Sequence, residues 1–242
     1  VVRLTPAMID GTDRDGTLAG GWYVVEEDMI IERRIAVSGD VHLILANGVD
    51  LNCRDGIGVE AGNSLTVYGQ TDDIDDAVVL RAKGSGSDAA IGGSSGHDAG
   101  DITFESGVVM ARGVASPAIG GGSGASLGSL TVNGGFVQAM VQAERVCALG
   151  GGPGTTGGAI RIRGGIVEAY SKDAPALGAT NTSGDVSVGV SGGALCLVAP
   201  EADAVIGVRD PGSVGLAVTG GLIYGFGNAK AMTNCLPVSL MG

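Results

Sequence analysis

The chain has 242 residues, of which 44% are hydrophobic and only 3% aromatic, with 46 glycines and a formal net charge of −12. So few aromatic residues exclude a globular core built from large side chains. The acidic balance excludes nucleic acid and anionic membrane as partners, because phosphate binding needs clustered Lys and Arg, and no apolar run reaches the ~20 residues of a membrane-spanning helix. Glycine at this level without a G-x-y triplet, and beside regular aliphatic columns, is neither collagen nor a linker.

Residues 1–28 read as an N-terminal cap and first strand. The segment Asp10-Gly11-Thr12-Asp13-Arg14-Asp15-Gly16 is a turn-rich acidic loop. It loosely follows the pattern of Asp-rich calcium loops but lacks the bidentate Glu at the end, which favours an ordinary turn. The run Trp22-Tyr23-Val24-Val25 is the first strand, and Trp22, the sole tryptophan, is expected to plug the open end of the core, where a first layer would otherwise expose apolar surface and unpaired edge groups. The chain opens on Val1, as a mature product or an excised piece would.

From 29 to 88 short strands are predicted at 29–31, 35–37, 41–45, 49–51, 57–59 and 65–67, separated by Ser-Gly-Asp, Asn-Gly, Asp-Gly and Gly-Asn turns. Leu43-x-Leu45 and Leu65-x-Val67 are 22 residues apart, so these coils are short. An acidic insertion follows at 71–77. Its four carboxylates, Asp72, Asp73, Asp75 and Asp76, need solvation or a cation, and hard oxygen ligands suit calcium. The segment is read as a solvated surface loop or a calcium site.

Residues 89–225 repeat on a fixed ruler. The pairs Ser106-Gly107, Gly134-Gly135, Gly164-Gly165, Gly192-Gly193 and Gly220-Gly221 start 28, 30, 28 and 28 residues apart. Four positions before each pair stand Ile102, Leu130, Ile160, Val188 and Leu216, and two before it Phe104, Val132, Ile162, Val190 and Val218. Polar or small residues fall between, which is the alternation of a strand with one buried face. Sixteen residues before each pair sits an alanine, Ala90, Ala118, Ala148, Ala176 or Ala204, and two further on a glycine, in a column broken only at Ile206. Such a column fits a tight corner with positive φ. Residues 226–242 are apolar enough to be a C-terminal cap, or the chain is cut there through a longer stack.

Short strands joined by glycine corners, without helices, stack one coil on the next. The fold class is therefore all-β, a single-stranded parallel β-helix forming one domain over 1–242, with an N-terminal cap and about seven to eight rungs. At ~4.8 Å per rung the rod is on the order of 35 Å long, and the crossover rule favours the right-handed form. The four cysteines, Cys53, Cys147, Cys196 and Cys235, have no metal-binding spacing and read as small apolar fillers or free thiols.

The repeated Ala-Ile-Gly-Gly and Leu-Thr-Val-Asn-Gly-Gly, with Ser-Gly-Asp-Val-His-Leu-Ile-Leu-Ala-Asn-Gly and Gly-Asn-Ser-Leu-Thr-Val-Tyr-Gly-Gln before them, resemble the glycine-rich repeats of large secreted or cell-surface proteins of gut Gram-positive bacteria, often described as carbohydrate-binding with a pectate-lyase-like fold. The resemblance covers roughly residues 22–224 and rests on core and corner positions. It implies an extracellular setting, a polysaccharide or a host or cell-wall glycan as partner, and neighbouring domains in a longer chain.

Candidate chemistry is sparse. Asn133, Gln138, Arg161, Arg163 and Glu168 are expected to point outward as a polar, glycan-binding strip, with Arg161 and Arg163 spaced to hold a uronate carboxylate by forked hydrogen bonds. Glu105 and Glu168 are the one carboxylate pair expected to approach the separation that flanks a glycosidic bond. His42 and His97 have no acidic partner at a telling spacing, and Tyr68, Tyr170 and Tyr224 are scattered. The expectation is a structural or adhesive rod that binds polysaccharide without a catalytic residue, with calcium as the one candidate cofactor. The alternative is a polysaccharide lyase or glycoside hydrolase acting on an acidic glycan.

Overall fold

The computed structural model describes residues 1–11, 16–70, 79–153, 155, 158–179, 185–208, 212–227, 230–233 and 239–240, the last two stretches by backbone alone. The acidic insertion with Asp72, Asp73, Asp75 and Asp76, and the centre of the Asp10 to Gly16 loop, lie outside the described residues.

The described strands, 23 in number, form one continuous sheet wound into a parallel β-helix. Each full coil contributes three strands, and strands of successive coils pair in parallel, so the sheet has three ladders. The first runs through Thr17–Val25, Ile35–Leu45, Ser64–Gly69, Asp101–Phe104, Ser129–Val132 and Gly158–Ile162 into Val186–Ala199 and Val214–Gly227. The second begins at Met29–Ile31 and passes through Asp50–Cys53, Val79–Lys83, Val108–Gly113, Phe136–Val141 and Ile166–Ser171 to the second halves of Val186–Ala199 and Val214–Gly227. The third is made of very short strands such as Ile91–Gly92, Ile119–Gly120 and Leu149–Gly151. The depth of the stack agrees roughly with the seven to eight rungs read from the repeats.

Alternation dictates what fills the tube. Ile102 pairs with Leu130, and Leu130 with Ile160; all three are fully buried, as are Phe104, Val132 and Ile162 beside them. Each such side chain contributes about 1.5–3 kcal/mol on leaving water, and the core is a succession of thin aliphatic layers. The N-terminal end is closed by the one-turn helix Ala7–Asp10 with Leu4 and Ile9, both fully buried. Tyr23, rather than Trp22, points into the core and donates its hydroxyl to the Ala19 carbonyl at 2.8 Å.

The corners explain the glycines. In the third ladder the register pairs Gly92 with Gly120, Gly120 with Gly150, Gly150 with Gly178 and Gly178 with Gly207. A Cβ on Gly120 or Gly150 would collide with the carbonyl of the glycine one coil on, so the backbones approach too closely for any side chain. The expected break of this column at Ile206 is therefore corrected: Leu177 faces Ile206 and Gly178 faces Gly207. One extra residue has entered before this strand, and the chain slips by one to keep a glycine at the contact.

One charged side chain is built into this corner. Arg34 projects over the next two coils and donates to the carbonyls of Asp55 (3.1 Å), Ala89 (2.8 Å) and Gly92 (3.1 Å). Burial pushes its pKa down, opposed by Asp88, Asp55 and Glu60.

Candidate functional site

The outward residues of the first ladder form the most differentiated surface of the rod. One column reads Trp22, His42, Thr66, Thr103, Thr131, Arg161, Gly189 and Ala217, each paired in register with the next. Its neighbour reads Ile44, Tyr68, Glu105, Asn133, Arg163 and Ser191. Five rung steps separate Trp22 from Arg161, about 24 Å at the strand spacing.

At the N-terminal end of this face the side chains organise one another. Trp22 is 43% exposed, which corrects its expected place as a core plug: the alternation through 21–25 puts Tyr23 and Val25 inside and Trp22 outside. Its ring stacks on His42 with centroids 4.1 Å apart and planes 9° from parallel, and Tyr68 stands 5.4 Å from Trp22 on the far side of the imidazole's rung. His42 does have an acidic partner, contrary to expectation. Its Nε2 lies 3.1 Å from Asp40 Oδ2 and its Nδ1 3.3 Å from the Tyr68 hydroxyl. Ser64 donates a short hydrogen bond to the other oxygen of Asp40. That bond, more than the neighbouring His42, holds the Asp40 carboxyl below the usual carboxylate range. Burial, reinforced by Glu105 and Asp40, pushes the Tyr68 phenol up. The result is a ring stack whose polar edges are tied down from one side and whose tryptophan keeps an open surface.

Of the five residues expected to form one polar strip, the structure gathers three and separates two. Asn133, Arg161 and Arg163 project from the first ladder, where Asn133 donates to Glu105 at 3.0 Å. Arg161 and Arg163 are exposed and make no ion pair among the described residues. They wall a shallow open trough whose floor is Gly189, Gly215 and Ala217, with Thr219 at its side. Gln138 and Glu168 are paired with each other at 3.2 Å on the second ladder, around the Gly-Gly corner. Glu105 and Glu168 thus stand on different faces of the rod and do not flank a common groove, which corrects the paired-carboxylate reading. His97 lies in an exposed corner loop, bonded to the Ser95 carbonyl.

No group of three or more His, Cys, Asp or Glu among the described residues is placed to hold a metal ion. The described cysteines are unpaired. Burial pushes the Cys53 and Cys147 thiols up to about 12, so they behave as core fillers and not as nucleophiles. No described helix is long and apolar enough to cross a membrane.

The first face was half legible. Aligning Tyr23 and Val25 with Leu43 and Leu45 would have put Trp22 over His42, the one signal for the ring stack. No protein family, curated protein or solved structure matches the chain.

Proposed function

We propose that the protein is an extracellular or cell-surface β-helical module with a structural and adhesive role, binding a polysaccharide along its first face. One observation carries this reading: a single straight ladder holds, in register, an open tryptophan, a run of threonine hydroxyls, and an arginine couple without an ion-pair partner among the described residues. Sugar rings stack on aromatic surface and hydrogen-bond to polar side chains, and a two-arginine wall suits the carboxylates of a uronate. A linear polymer laid along the rod meets these groups in turn. The resemblance to glycine-rich repeat surface proteins of gut bacteria, and the pectate-lyase-like type of β-helix, belong to this proposal, as do the host or cell-wall glycan as partner and calcium bound near 71–77.

Affinity electrophoresis through polygalacturonate, with and without calcium, tests it. The protein is expected to be retarded, the double variant Arg161→Ala/Arg163→Ala to lose about tenfold in affinity, and no sugar to be released. Unretarded migration overturns the reading. Release of unsaturated products absorbing in the near ultraviolet would replace it with the polysaccharide lyase alternative.

A further inference from the structure

The second ladder changes character halfway along the rod while its core does not. In its early strands the column that leads to Phe136 is already apolar and buried, at Val79 and Val108. The columns beside it carry charge at Arg81, Lys83 and Arg112, with Arg81 bonded to Asp50 at 2.9 Å and, just past the strand ends, Arg54 bonded to Glu32 at 2.7 Å. From Phe136–Val141 onward the inward side keeps the same buried aliphatics, such as Val137, Val167 and Leu195, yet the outward side turns apolar. One outward column pairs Phe136 with Ile166, Ile166 with Ala194 and Ala194 with Leu222, and another pairs Met140 with Tyr170, Tyr170 with Val198 and Val198 with Phe226. Between them, Gln138 and Glu168 satisfy each other and Tyr224 completes the row. The tube does not need these residues for its own packing. Ile166 is 44% exposed within the stack, and Leu222, Tyr224 and Phe226, on the last strand of this ladder among the described residues, are 57%, 59% and 68% exposed.

The surface is the outer side of a sheet paired in register, and it covers four rungs by three alternate residues. That is on the order of 400 Å² from the strand spacings, about half of the ~800 Å² per partner that a stable protein complex buries. A second copy or a globular partner is therefore poorly matched to it. With Glu168 its only charged side chain, already bonded to Gln138, it offers nothing to an acidic glycan. An extended array of rings and aliphatics with amide and phenol groups between them suits the apolar faces of packed pyranose chains.

We propose that this half of the second face is a separate binding surface for an uncharged polysaccharide presented as a flat, insoluble array. The inference rests on the reading of the rod as a glycan-binding module and adds a second ligand class on a different side. The experiment is co-sedimentation of the full chain with microcrystalline cellulose and with chitin powder. The same preparations are run in parallel on the polygalacturonate gel. Wild-type protein should sediment with at least one powder, and the double variant Tyr224→Ser/Phe226→Ser should lose at least tenfold in binding while keeping its gel retardation. Ile166→Asp, at an exposed position two coils away, should show the same loss, and Arg161→Ala should sediment like wild type. The proposal is overturned if wild-type protein stays in the supernatant with both powders, or if the double variant and Ile166→Asp sediment like wild type. It is also overturned if Arg161→Ala abolishes sedimentation. Retardation on the acidic gel alongside any of these results leaves the first-face reading standing and removes only this one.

Discussion

Arg34 illustrates how much a single side chain can determine in a stack of coils. Its guanidinium reaches from one rung to backbone carbonyls of the next two, at Asp55, Ala89 and Gly92, and at Gly92 it adds a second donor to a carbonyl that already accepts from the Val59 N–H at 2.8 Å. Arg34→Met keeps much of the volume and removes every donor. Losing the three charge-assisted bonds should cost about 3 kcal/mol, read as a lower urea midpoint with an unchanged slope, and Arg34→Lys should recover only part of it because one ammonium cannot match the fork. At the exposed end of the first face, Asp40 has a carboxyl held below its usual range by Ser64 and then His42. A depressed carboxylate stabilises the folded state above its unfolded pKa, and the contribution disappears as pH falls through the depressed value. Asp40→Asn should therefore be slightly less stable than wild type at neutral pH, and the two urea midpoints should converge in acid. A gap that stays constant from neutral to acid pH would refute this account. Neither residue was legible in the sequence. Arg34 sits in an ordinary Glu-Arg-Arg run, and its role depends on two later coils arriving at fixed heights.

At the scale of the strand and its corner, the sequence was far more readable. The aliphatic columns through Ile102, Leu130 and Ile160 follow from the amino-acid order alone, because a buried face tolerates only apolar residues and the spacing of the Gly-Gly corners fixes the register. What misled was counting. The ruler assumed a constant distance from alanine to Gly-Gly, whereas the contact between backbones is what is held constant, and the strand Ala204–Val208 slips to put Gly207 opposite Gly178. This yields a sharp contrast between two glycines. Gly150→Ala, with φ +133° and the Gly178 carbonyl in the way, should cost about 3 kcal/mol or more, on the order of other severe backbone clashes. Gly189→Ala, on the open first face with nothing within 4 Å of the new Cβ, should be neutral or raise stability by up to about 1 kcal/mol. Chemical denaturation of the two variants side by side measures both.

For the whole molecule, the architecture could be inferred because it is periodic, and the candidate surfaces could not because they are aperiodic. Trp22, His42 and Tyr68 come together from coils of unequal length that precede the regular spacing, and Trp22-Tyr23 offers two aromatics in succession, so alternation alone leaves open which one faces in. Gln138 and Glu168 were grouped with Arg161 and Arg163 because all are polar and near in sequence, yet the Gly-Gly bend between them turns the chain onto another side. The apolar half of the second ladder escaped notice for a related reason: outward Phe, Ile and Tyr on a strand look like core until the inward column is known.

The parallel, in-register winding has a mechanical consequence. Tension applied between the two ends loads the coils one after another, so an end coil can peel off while those behind it keep their full set of neighbours. Each coil of about 28 residues would release a tether on the order of 95 Å, many times the ~4.8 Å it occupied in the rod. A rod built this way gives ground in steps under load and need not fail all at once.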